Sequence, residues 1–180
     1  GEGDRIVWLG QNAHCVLEAL IAAGRIGASL AILNWRQSED ELRFVLDDLD
    51  PKLILWQPGS ASEALRGEWA ERPVLWLCQD PADPACAYES AIAEAHAAPP
   101  PAALPGHAPQ PLLYTAAFSG RPAAAIVTRQ ALVLQALFYV GLRGWNHETA
   151  YLSATPLFHV ATLLDCLATF VAGGRNLFVR

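Results

Sequence analysis

The chain has 180 residues, of which 53% are hydrophobic and 17% charged, with a formal net charge of −6 and a mean hydropathy of +0.22. That length suits one sizeable domain with a real core, and the composition excludes both a disordered chain and a disulfide-stapled miniprotein. Its Lys and Arg residues form no cluster of the kind that releases counterions from nucleic acid, and its apolar runs fall short of the roughly 20 residues that span a bilayer, so neither a nucleic-acid partner nor a membrane span is expected.

The first half alternates strand-like and helix-like pieces. Arg5–Leu9 (RIVWL) is a β-rich run, followed by Gln11 and Asn12 as a turn and helix start. Val16, Leu17, Leu20, Ile21 and Ala23 then recur at helical spacing until Gly24 and Gly27 end the run. Residues 29–33 (SLAIL) read as a second buried strand. Ser38, with Glu41 three positions later, is a capping box opening a helix whose apolar face is Leu42, Val45, Leu46 and Leu49. Pro51 closes that helix, residues 52–56 (KLILW) give a third strand, and a helix over 60–69 leads to a fourth strand at 74–77 (VLWL). Strands alternating with helices of this length predict right-handed βαβ units and an α/β fold, with largely parallel sheets covered by helices on both faces.

Composition then shifts, because Ala and Pro accumulate over residues 81–111. This reads as a connection holding a short helix near 89–96. The second half restarts as a strand at 112–115 (LLYT), turns through 116–122 and continues as a strand at 124–127. Thr128 can cap a helix running to about Leu142, and a strand at 151–154, a helix over 160–172 and a strand at 175–179 follow. The expected organisation is a first α/β portion over residues 1–80, the connection over 81–111, and a second α/β portion over 112–180. The absence of any Met suggests a fragment of a longer chain.

Cys15, Cys78, Cys86 and Cys166 show no C-x-x-C pairing, and His14, His96, His107, His147 and His159 are scattered, so no metal-ligand spacing is readable. The cysteines read as small reduced hydrophobes of a cytoplasmic protein. No G-x-x-x-x-G-K-[ST] loop and no G-x-S-x-G elbow occurs.

What does stand out is an ordered series. Gly3-Asp4-Arg5-Ile6-Val7, Asn12, Ala23-x-Arg25-x-Gly27-Ala28, Leu33-Asn34-Trp35-Arg36, Glu41-Leu42 and Leu46-x-Asp48 are followed by Leu112-Leu113-Tyr114-Thr115, Gly120-Arg121-Pro122 and Thr155-Pro156-Leu157-Phe158-His159-Val160-Ala161. In this order the chain resembles the N-terminal portion of the adenylate-forming enzymes, the AMP-forming acyl-CoA synthetases and their relatives. Synthetases of fatty or related acids fit Asn34-Trp35-Arg36 and the Pro-Leu-Phe-His run best. The resemblance implies an acid–thiol ligase that uses ATP and Mg2+ to convert a small-molecule carboxylic, fatty-type acid to an acyl-adenylate and passes it to coenzyme A. A homodimer is compatible with the same likeness.

The resemblance also implies nucleotide binding at Thr115, Ser119, Gly120 and Arg121, in a loop of the form Y-T-S-G-T-T-G-x-P-K-G, and a substrate pocket at Phe158 and His159. It assigns no catalytic residue and no metal ligand within this chain. A turn rich in Gly, Ser and Thr aims backbone N–H groups and hydroxyls at phosphate oxygens, and a lysine adds a point charge. Here Ala116, Ala117 and Phe118 stand where the family has Ser, Gly and Thr, and Ala123 and Ala124 replace its Lys and last Gly. Two hydroxyls, one ammonium and two sites of backbone freedom are lost. Lys52, the single lysine, falls in a strand of the first half and cannot stand in. Losing one charge-assisted hydrogen bond, about 1.5–3 kcal/mol, weakens ATP by roughly one to two orders of magnitude. The alternative reading is a catalytically impaired family member that keeps the fold as a binding or interaction module. Elsewhere, Gly27 reads as a helix–strand packing position, Asn34 and Arg36 as fixing a turn, and Asp4 and Arg5 as marking the start of the first strand.

Overall fold

Short aliphatic runs buried on both faces build the centre of the molecule. In the computed structural model, which describes residues 1–59, 62–96, 104–115 and 121–179, six of these runs share one sheet. They are β1 (Arg5–Leu9), β2 (Ser29–Ile32), β3 (Leu53–Trp56), β4 (Leu75–Cys78), β5 (Pro109–Tyr114) and β6 (Ala124–Thr128). Their order is β4-β3-β1-β2-β5-β6. All neighbours are parallel except β6, which runs antiparallel to β5. The alternation of strands and helices in the sequence thus gives the α/β sheet it predicts, and β5 from the second half joins the first-half sheet by pairing with β2.

Successive residues point to opposite faces of a strand. Val7, Leu9, Ala31, Leu33, Ile54 and Trp56 lie in a core cluster with Leu42, Val45, Leu46 and Leu49 of α2 (Glu39–Leu49) and Leu65 of α3 (Ser62–Glu68). Trp8, Leu30, Ile32 and Leu55 belong to a second cluster with α1 (His14–Ile26), Tyr88 of α4 (Ala87–Glu94), α5 (Arg129–Arg143) and α6 (Val160–Val171). Helices therefore cover both faces, and β1 to β3 are apolar on both sides, as a parallel sheet requires. Beyond α6, β7 (Ala150–Ser153) and β8 (Arg175–Phe178) form a separate parallel pair. Helix α5 leaves Val133, Leu134, Leu137 and Phe138 exposed.

Local signals are realised in detail. Ser38 accepts from the Glu41 N–H at 3.3 Å while Glu41 accepts from the Ser38 N–H at 3.0 Å, so the capping box of α2 is complete. Thr128 accepts from the Ala131 N–H at 3.2 Å and caps α5. Asn34 accepts from the Arg36 N–H at 3.1 Å, fixing the turn after β2.

Gly27 is the left-handed C-cap of α1, at φ 76°, and a Cβ there would fall 3.2 Å from the Glu2 backbone; a second close approach belongs to Gly24, which lies within the helix and does not end it. A Cβ on Gly24 would fall 2.3 Å from the Gln110 side chain. Gln110 is itself buried on β5 and donates to the Leu20 carbonyl. Glycine inside a helix normally costs about 0.5–1 kcal/mol relative to alanine. Here Gly24→Ala is expected to reverse that sign and destabilise by about 1–2 kcal/mol, because a buried amide must give up its bond. Urea unfolding of the variant, with Gly67→Ala at an open position of α3 as the comparison, measures it.

Candidate functional site

Parallel strands direct their carboxyl ends, and the loops that follow, to one edge of the sheet. Helices α1 and α2 lie on opposite faces, so the connections leaving β1 and β2 diverge, which opens a crevice beside those strand ends. A cleft of about 590 Å3 lies there, bounded by the ends of β2 and β5 and by the loop before α6.

On the β2 side it is walled by Asn34, Arg36 and Glu41. Arg36 stacks on Trp35 at 4.9 Å. Glu41 is engaged by Ser38 through both its backbone N–H and its hydroxyl, each at 3.0 Å. On the β5 side are Tyr114, Thr115 and Pro122. Tyr114 donates to the Asp48 carboxylate, and burial followed by that carboxylate pushes its phenol well above the usual range.

Thr115 occupies the neck of the loop that the sequence singles out. Its N–H donates to the Ala123 carbonyl at 3.0 Å and its hydroxyl donates to the same oxygen at 3.2 Å. The side chain is exposed toward the cleft, but donating to a phosphate requires exchanging the Ala123 bond. Ser119 and Gly120 lie outside the described residues. Arg121 is exposed and its guanidinium sits 5.1 Å from the centre of the Phe44 ring on α2. Lys52 precedes β3 at the opposite, amino-terminal edge of the sheet, 3.8 Å from Asp50.

The third wall is Phe158 and His159. His159 is the N-cap residue of α6 by position, yet its ring makes no capping bond. The ring is exposed and tilts against Phe158 with centroids 4.6 Å apart. Phe158 is half-buried and packs on the core cluster of α1 and α6, which anchors this wall.

What fixes that loop is Asn12, a residue that sequence reasoning took only for a helix start. Asn12 is 8% exposed. Its amide donates to the Thr155 carbonyl at 2.8 Å and to the carbonyl and hydroxyl of Ser153 at 3.2 and 3.3 Å. Its carbonyl accepts from the Leu157 N–H at 2.9 Å. One side chain at the end of β1 thus holds the segment that carries Phe158 and His159. The only hint in the sequence was an asparagine next to an apolar run, since its partners lie 141 to 145 positions away.

Comparison with known proteins gives a consistent result. The chain is 32% identical over 183 residues to the long-chain-fatty-acid–CoA ligase of Thermus thermophilus, covering 98% of this chain and 33% of that protein. It is 29% identical over 180 residues to the indoleacetate–CoA ligase of Aromatoleum aromaticum, covering 97% of this chain and 35% of that one. The chain therefore spans about one third of the length of these curated relatives. Among solved structures, ATP-bound MatB from Rhodopseudomonas palustris shares the fold at a TM-score of 0.87 and 21% identity, covering 99% of this chain and 35% of that one. A family profile described as AMP-binding enzyme matches residues 1–180, and the chain belongs to that family.

Proposed function

We propose that this chain is the nucleotide- and acid-facing front portion of an acid–thiol ligase. In this reading a carboxylic acid, of fatty type, attacks the α-phosphate of ATP and pyrophosphate leaves, and the thiol of coenzyme A then takes the acyl group from the acyl-adenylate as AMP leaves. The observation that carries the reading is the cleft itself, where the neck of the glycine-containing loop at Thr115 faces the Phe158–His159 wall across the carboxyl ends of β2 and β5. Thr115, Ser119, Gly120 and Arg121 are proposed to contact the nucleotide phosphates, and Phe158 and His159 to border the acyl group. An exposed imidazole can orient a carboxylate by hydrogen bonding.

Mg2+ accompanies ATP in such chemistry. It takes near-octahedral oxygen ligands, one or two of them carboxylates and others from substrate phosphates. Among the described residues lining the cleft the one carboxylate is Glu41, and it is already the acceptor of the α2 capping box. These residues do not form a magnesium site by themselves.

A second reading, a catalytically impaired binding or interaction module, is favoured by one observation. Ala123 stands where the family has lysine, and no lysine occupies this edge of the sheet. Titration of the full-length protein with ATP and Mg2+ separates the two. Submillimolar binding coupled to carboxylate-dependent pyrophosphate release is expected for the ligase, with aliphatic acids preferred over aromatic ones. Binding without pyrophosphate release for any acid supports the module. A cytoplasmic location and a homodimeric state belong to the same proposal.

A further inference from the structure

At the start of α1, away from the cleft walls, three metal-capable donors converge. The Cys15 sulfur lies 3.5 Å from His14 Nε2. A Glu89 carboxylate oxygen from α4 joins them, with all three ligand atoms within 4.8 Å of one another. No other such group of His, Cys and acidic side chains occurs among the described residues. His14 and Cys15 are adjacent in sequence while Glu89 comes from a different helix, so spacing along the chain does not reveal the group.

We infer that His14, Cys15 and Glu89 form a binding site for one divalent cation of the zinc type. Zinc–sulfur and zinc–nitrogen bonds of about 2.3 and 2.0–2.1 Å at a tetrahedral angle place sulfur and nitrogen about 3.6 Å apart, and the sulfur–nitrogen edge here already has that length. Glu89 is half-buried on a long side chain and closes the third edge by rotation. Three protein donors leave a fourth position open for water, as in zinc sites that remain accessible. Thiolate and imidazole select zinc or cobalt over magnesium, so this site is chemically distinct from any that serves a nucleotide.

The surroundings agree with a cation. Glu18, one turn along α1, places Oε1 3.9 Å from the same His14 nitrogen, and Tyr88 holds its other oxygen at 2.8 Å. Two carboxylates outweigh the partial charge of about +0.5 at the amino end of α1.

Co2+ is the probe. Titrated into the metal-stripped protein, it is expected to bind one equivalent and give the near-ultraviolet charge-transfer band of a cobalt thiolate, which Zn2+ then bleaches. Cys15→Ala abolishes the band, and Cys78→Ser, at a cysteine outside the group, retains it. His14→Gln changes an exposed side chain that the fold tolerates, and weakens Co2+ at least tenfold. Zn2+ also raises the thermal midpoint of the unaltered protein and not that of the His14 variant. No thiolate band, a band that survives Cys15→Ala, or unchanged affinity in His14→Gln each overturns the site.

Discussion

Asn12→Ala is expected to destabilise the protein by about 2–4 kcal/mol and to loosen the cleft. The substitution leaves the Leu157 N–H and the Thr155 carbonyl without the amide that now serves them, while the Ser153 carbonyl keeps the Val179 N–H. An unmet buried polar group costs roughly 1–3 kcal/mol, far more than the packing lost with so small a side chain. Asn12→Asp is the sharper variant. It keeps an acceptor for Leu157 but sets an anion against two carbonyl oxygens, so it should match or exceed the alanine change at neutral pH. Urea unfolding gives the stability, and faster hydrogen exchange at the Leu157 amide reports the loosened wall. Unchanged exchange there would mean that the segment is held by α6 and not by Asn12.

The second large effect is a gain. Ala123→Lys should tighten ATP binding by about ten- to a hundredfold, the equivalent of one charge-assisted hydrogen bond of about 1.5–3 kcal/mol. Residue 123 is exposed, and its carbonyl, not its methyl, closes the neck against Thr115, so a longer side chain leaves that bond in place. The gain should shrink with added salt, since the new contact is ionic. Ala123→Gln has similar reach without the charge and is expected to gain little. An equal gain from glutamine would locate the deficit in loop shape, in the two lost glycines, and not in the missing ammonium. Calorimetric titration at two ionic strengths makes all of these comparisons.

The strands and helices were legible because their signals are local. The capping box at Ser38 and Glu41 and the Thr128 cap each lie within three positions, and β1 to β3 announce themselves as unbroken apolar runs. The family motif runs likewise pointed to loops that border the cleft. What stayed hidden depends on distance along the chain. Gly24 reads as a helix terminator until Gln110 is seen against it, 2.3 Å from where its Cβ would be. Asn12 reads as a turn residue until its partners arrive from the far half of the chain. The joining of β5 to β2 is hidden for the same reason, because an Ala- and Pro-rich connection intervenes and gives no sign of which sheet the next strand will enter.

That separation also orders events in time. Closing a loop costs free energy that grows with the logarithm of its length, so the Asn12–Leu157 contact, 145 positions apart, faces about 3 kcal/mol more closure entropy than the three-residue capping box. Contacts of such long range form late in folding. The first four strands can pair while the chain is still being synthesised, but the Phe158–His159 wall must wait for its own helix to emerge and find Asn12. The Phe158–His159 wall of the cleft is thus assembled after the first four strands, and a translational pause before residue 157 would leave that wall unformed beside a paired sheet.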